Sequence, residues 1–151
     1  MRRRISPVSA DRGDTAAVVA LALCLPALDV VTPEILNRVD NALQGSVDPA
    51  MRGRVQITLA EALNNVAEHA CRNLRLGAVA VAVKRCAWGL EIRMTDWGRP
   101  LPDLSIPIAH APDPGQLAEG GYGWFLIGQL ASGVCYRRYA DQNRLTLRFE
   151  D

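Results

Sequence analysis

The chain has 151 residues, 49% of them apolar and 22% charged, which suits a single soluble domain with a real core. A net charge of +1 excludes a whole-molecule field that would recruit nucleic acid or an anionic membrane. The four cysteines, Cys24, Cys71, Cys86 and Cys135, show no CxxC spacing, so they read as small buried residues in a reducing compartment rather than as zinc ligands or disulfides.

Residues 1–14 are polar and charged and read as a flexible N-terminal segment; the domain proper is expected over 15–151. Arg2, Arg3 and Arg4 followed by the apolar run 15–25 imitate a signal peptide. Asp11 and Asp14 interrupt the basic stretch, however, and no clear cleavage motif follows before Asp29. The run is also too short to span a bilayer. It is expected to be a buried strand, in a protein that stays in the cytoplasm.

Thr32-Pro33-Glu34 reads as a helix start, with a capping hydroxyl, a proline in the first turn and an acid near the positive end of the dipole; Gly45 reads as its stop. Asp48-Pro49 repeats the start signal. The helix it opens should run to about residues 72–76, with Gly77 as terminator and Met51, Val55, Leu59, Ala62, Leu63, Val66 and Ala70 as its apolar stripe. Alternation at Val79, Val81 and Val83, then at Leu90, Ile92 and Met94, predicts a hairpin turning at 86–89. Residues 99–119 hold five of the nine prolines and little periodicity, as a functional loop or lid would. A helix over 122–132 and strands over 133–139 and 144–149 close the chain.

Three segments carry candidate chemistry. Glu61, Asn65 and His69 recur every four residues on the polar side of the second helix, where a solvated face is the plain alternative. Adjacent asparagines at 64 and 65 are poor helix formers for such a face, and an amide oxygen suits Mg²⁺. Glu61 could accept a proton from a hydroxyl. Asp96-Trp97-Gly98 at a strand end is either a turn or a carboxylate that reads a base amino group beside a glycine that lets the base approach. Gly120-Gly121-Tyr122-Gly123 before a helix can cradle phosphate through free N–H groups, although it matches neither a Walker A nor a Rossmann pattern.

Taken in order, Glu-x-x-x-Asn helix, hairpin ending in Asp-x-Gly, proline-rich lid, glycine turn and helix, the chain resembles the Bergerat ATP-binding fold of the histidine-kinase-like ATPase superfamily. That superfamily includes histidine-kinase catalytic domains, gyrase and anti-sigma-factor serine kinases. Residues 61–69 resemble its asparagine box, 96–100 its first glycine box and 120–127 its second. Glu61-x-x-x-Asn65-x-x-x-His69, the run Gly-Gly-Tyr-Gly-Trp-Phe-Leu-Ile at 120–127 and Asn-Arg-Leu-Thr-Leu at 143–147 are most similar to the compact anti-sigma serine-kinase group.

The resemblance implies an α+β fold: a two-layer α/β sandwich with a mixed, mostly antiparallel sheet and helices on one face. It implies ATP and Mg²⁺ as cofactors. Asn65 would hold the metal, Asp96 and Gly98 would receive adenine, and Gly120, Gly121 and Gly123 would lie against the phosphates. Glu61 would be the general base toward a serine or threonine, and His69 would sit near the nucleotide. The implied partners are a sigma factor and an antagonist protein that is phosphorylated, with no direct contact to nucleic acid or membrane and with a possible homodimer. Two departures stand out: residues 100–136 contain no lysine or arginine, and Trp124 stands where the group carries leucine. The first keeps open a non-catalytic partner-switching module of the same fold; a catalytic fragment serving a separate histidine-phosphorylated protein is a further alternative.

Overall fold

The computed structural model describes residues 18–26, 31–71, 77–107 and 122–151. The N-terminal segment expected over 1–14 lies outside them, as do Gly120 and Gly121. Strand β1 (Val18–Pro26) is followed by helices α1 (Thr32–Leu43) and α2 (Pro49–Asn65), and α2 runs on into a π turn (Val66–Ala70). Strands β2 (Ala78–Cys86) and β3 (Gly89–Asp96) form the expected hairpin. Helix α3 (Gly123–Leu130) and strands β4 (Gly133–Tyr139) and β5 (Gln142–Glu150) complete the order. The five strands make one sheet in the order β1-β2-β3-β5-β4, and every described pairing is antiparallel.

The apolar alternation decides which side of the sheet the helices cover. Val79, Val81 and Val83 of β2, Leu90, Ile92 and Met94 of β3, and Leu145, Leu147 and Phe149 of β5 are all buried. Directly opposed residues project to the same face, so these rows form one continuous apolar floor. Met51, Val55, Leu59, Ala62, Leu63 and Val66 of α2 and its extension are buried above it, as the helical spacing predicts. Each valine, leucine or methionine among them contributes about 1.5–3 kcal/mol on burial. Helix α1 adds Ile35, Val39 and Leu43, and α3 adds Ile127.

The two helix starts differ. Asp48 caps α2 as expected, its Oδ1 accepting from the N–H groups of Ala50 at 2.9 Å and Met51 at 3.0 Å. Thr32 does not cap α1: it is the first helical residue, the cap position is Val31, and no side-chain bond closes that end. Gly45 follows α1 with φ of +78°, a conformation that suits glycine and ends the helix where expected. Helix α2 gives way to the π turn at Val66, and its described course ends at Cys71; Arg72 to Leu76 lie outside the described residues. Cys71 and Cys86 are buried and Cys135 is partly buried. No helix of the described residues is long and apolar enough to cross a membrane.

Candidate functional site

The polar side of α2 meets the start of α3. Gly123, the first residue of α3, lies so close that a Cβ there would stand 2.8 Å from Glu61 Oε2 and 3.8 Å from both amide atoms of Asn65. Any larger residue here would press on the end of the Glu61 side chain, so glycine gives the helix start its close approach to the carboxylate. The Asn65 Nδ2 is buried without a hydrogen-bond partner. A buried amide left unsatisfied costs about 1–3 kcal/mol, and such groups gather at functional sites. Because an amide can be turned end for end, either its donor or its acceptor can face a ligand.

Immediately after Asn65 the helix widens. The Cys71 N–H reaches back five residues to the Val66 carbonyl at 2.8 Å, the bonding of a π turn, a feature frequent at functional sites. The Ala70 carbonyl accepts instead from the Arg99 N–H at 2.8 Å. Gly98 rests against the same carbonyl: a Cβ at 98 would stand 2.4 Å from it. The end of the α2 extension and the loop after β3 are thus locked together by backbone, and Gly98 is required by close approach. His69 sits on this turn, exposed to solvent.

Asp96 is only 8% exposed, because its position continues the inward parity of Leu90, Ile92 and Met94. Its Oδ1 accepts from the Gly98 N–H at 2.8 Å and from Asn143 Nδ2 at 2.7 Å. Neither bond uses Oδ2, which leaves an acceptor for a ligand. Burial pushes the Asp96 carboxyl up; the hydrogen bonds from Asn143 and Gly98 and the charge of Arg138 pull it back only in part. The buried Cys71 thiol is also pushed up, first by burial and then by the charge of Asp96, and so stays protonated.

Asn143 organises this corner. It pairs with Asp96 across β3 and β5, and its Nδ2 also reaches the Gly98 carbonyl at 3.2 Å and the Arg99 carbonyl at 3.0 Å. Its Oδ1 accepts from the Tyr136 hydroxyl at 2.7 Å and from Arg138 at 2.6 Å. The Tyr136 hydroxyl in turn accepts from the Leu101 N–H at 3.1 Å, and Arg138 donates to the Gly98 carbonyl at 3.3 Å. The residues after Asp96 are therefore held from two strands that lie about forty residues further along. Sequence reading missed Asn143, Tyr136 and Arg138 as site residues. The signal was parity: Asn143 occupies the inward register of Leu145, Leu147 and Phe149, a polar residue where the pattern calls for an apolar one.

Of the expected site residues, Glu61, Asn65 and Gly123 come together, and Asp96 and Gly98 join the far end of the same helix. Gly120 and Gly121 lie outside the described residues. Trp124 is half-buried and packs against the core. A family model described as the histidine kinase-like ATPase domain matches residues 25–149. The chain belongs to that family. The histidine kinase-like ATPase domain also has relatives among solved structures. One is the RsbU and RsbW domains of Rv1364c from Mycobacterium tuberculosis, at TM-score 0.56 and 15% identity, covering 84% of this chain and 31% of that one. Another is the histidine kinase domain of the Erythrobacter litoralis EL346 blue-light activated histidine kinase, at TM-score 0.52 and 19% identity, covering 82% of this chain and 60% of that one. This chain thus spans less than two thirds of either. No curated protein matches.

Proposed function

We propose that this chain is an ATP-binding regulator of the anti-sigma type: a serine/threonine protein kinase that phosphorylates an antagonist protein and sequesters a sigma factor. The observation that carries the reading is the buried, partnerless Nδ2 of Asn65, next to Glu61 and against the glycine that opens α3. The unsatisfied N–H suits a phosphate oxygen, and with the amide turned end for end its oxygen suits Mg²⁺, which takes oxygen ligands and keeps several waters and phosphate contacts. Bound ATP and Mg²⁺ would supply the phosphoryl group and neutralise its charge.

The roles are those that the family resemblance implies, and the side-chain chemistry at each position suits them. Asn65 holds the metal. Asp96 receives the adenine amino group at Oδ2 while Oδ1 stays engaged, and Gly98 leaves room for the ring. By the same resemblance Gly120, Gly121 and Gly123 would lie against the phosphates, and His69 would contribute from the neighbouring turn. Glu61 takes the proton from the serine or threonine hydroxyl of the antagonist. Labelled ATP, Mg²⁺ and candidate antagonist proteins test this: acid-stable labelling that Glu61→Ala abolishes is the expected result, and equal labelling by both proteins removes Glu61 as the base.

One observation favours a second reading, a partner-switching module that binds nucleotide without transferring phosphate. Residues 100–136 bring no lysine or arginine, and Arg138, the second cation beyond them, is engaged by Asn143 and the Gly98 carbonyl. Nucleotide binding without labelling of any antagonist, in the same experiment, selects that reading.

A further inference from the structure

The sheet face turned away from the helices concentrates positive charge. Directly opposed residues of an antiparallel sheet project to one side, so the pairings Lys84↔Glu91, Glu91↔Arg148, Arg93↔Thr146, Thr95↔Arg144 and Arg137↔Arg144 place Lys84, Arg93, Arg137, Arg144 and Arg148 on that face. Among the described strand residues two carboxylates share the face: Glu91, drawn on by Arg93 at 3.1 Å and Arg148 at 3.2 Å, and Glu150 at the sheet's end, opposite Gly89. Among the described residues, four arginines and Lys84 stand beside two carboxylates in a chain whose net charge is +1, so positive charge is concentrated on this side.

The arrangement works against the fold. Arg137 and Arg144 face each other across β4 and β5, a like-charge cross-strand pair that destabilises a sheet. The Arg144 Nε is buried and without a hydrogen-bond partner. Two of the arginines are oriented by aromatic rings: Arg144 lies 4.8 Å from the Tyr139 ring centroid and Arg148 lies 5.4 Å from that of Trp88, both rings partly exposed. Ring-held guanidinium groups lose less freedom when they bind a carboxylate. Beside them, Ala80 and Ala82 of β2 give a shallow, half-buried apolar strip on the same face.

We propose that this face docks an acidic amphipathic segment of a partner protein, its apolar side on Ala80 and Ala82 and its carboxylates on Arg93, Arg137, Arg144 and Arg148. Arginine, tyrosine and tryptophan are the residue types that dominate protein interfaces. A second copy of this chain would set the same cations against each other. A nucleic-acid domain carries a strongly basic balance, whereas this chain has a pI of about 7.7. The surface lies on the opposite side of the sheet from Glu61, Asn65 and Asp96, so it can be occupied together with the nucleotide site and does not depend on the reading given to that site.

Fluorescence anisotropy with the full chain tests the proposal. The probes are a labelled synthetic amphipathic peptide of Glu, Leu and Ala, its counterpart with Gln for Glu, and mixed-sequence duplex DNA. The acidic peptide should bind, weaken with salt, and lose about tenfold or more in affinity both in the Gln counterpart and in an Arg93→Gln/Arg137→Gln variant. Arg38→Gln, on the helix side, should bind as wild type does. The double variant should unfold near the wild-type urea midpoint, since the repulsion removed at Arg137 offsets the half-exposed bridge to Glu91 lost at Arg93; Arg148→Gln serves as an independent second variant with the same expected loss of affinity. Absence of peptide binding, equal affinity in the variants, or tighter binding of the DNA overturns the proposal. So does a wild-type dimer in sedimentation equilibrium that the double variant abolishes, which would assign the face to self-association.

Discussion

Burial pushes the Asp96 carboxyl above the ordinary carboxylate range, and the direction of that shift sets a pH dependence. The native state then binds the proton more tightly than the unfolded chain. The stability contributed by Asp96 is therefore present in full below the unfolded value and is lost as pH rises through the native value. At neutral pH the charged form is a burden, and Asn at this position keeps an Oδ1 for the Gly98 N–H and for Asn143. Asp96→Asn should leave the urea midpoint at pH 7 unchanged or raised, with any advantage shrinking as pH falls toward 4. A loss of unfolding free energy of more than about 1 kcal/mol at pH 7 would contradict this. Two glycines of the site separate in the same way by what they touch. Gly98→Ala drives a Cβ into the Ala70 carbonyl, a backbone atom that cannot step aside, and should cost about 1–3 kcal/mol or more. Gly123→Ala meets the far end of Glu61, a flexible side chain, so the fold should hold while nucleotide binding falls. Chemical denaturation and nucleotide titration of both variants distinguish the two; equal losses of stability would be wrong for this geometry.

The elements report two further consequences. The Tyr136 hydroxyl links the Leu101 N–H to Asn143, so Tyr136→Phe should cost about 1 kcal/mol and should speed hydrogen exchange at Leu101 before other amides of the loop. Unchanged exchange at Leu101 would detach β4 from the site. In α2, Gly53 is exposed with open space around its missing Cβ, so Gly53→Ala should stabilise by about 1 kcal/mol and leave nucleotide binding alone. The capping aspartate at 48, the α2 stripe and the valine alternation of β2 were legible in the sequence because each is written in local spacing. The π turn was not: widening one turn by a single hydrogen-bond step leaves no mark on an apolar stripe that ends there. Thr32 resembled a cap by composition, but the chain enters α1 with Val31 already near helical dihedrals, so the hydroxyl falls inside the helix. Asn143 was hidden by distance, its partner Asp96 lying 47 residues earlier and meeting it only through the pairing of β3 with β5.

At the scale of the molecule, one sheet separates two surfaces. Helices, core and the Glu61–Asn65–Asp96 corner occupy one side, and the arginine-rich face occupies the other. The polar corner is a cost to the fold in the absence of a ligand: a partnerless buried amide at Asn65 and a buried carboxylate at Asp96. A ligand that satisfies both would stabilise the whole domain by linkage, by about 2.7 kcal/mol at a concentration a hundred times its Kd. Stability and binding should therefore separate cleanly at Asp96. The most direct measurement is calorimetric titration of ATP with Mg²⁺ into wild type and Asp96→Asn, each with its unfolding midpoint recorded at pH 7. The account predicts binding by wild type and about tenfold or greater weakening in Asp96→Asn, with the midpoint of the unliganded variant no lower than wild type. No binding by wild type at millimolar ATP, or equal affinity in the two proteins, would contradict it.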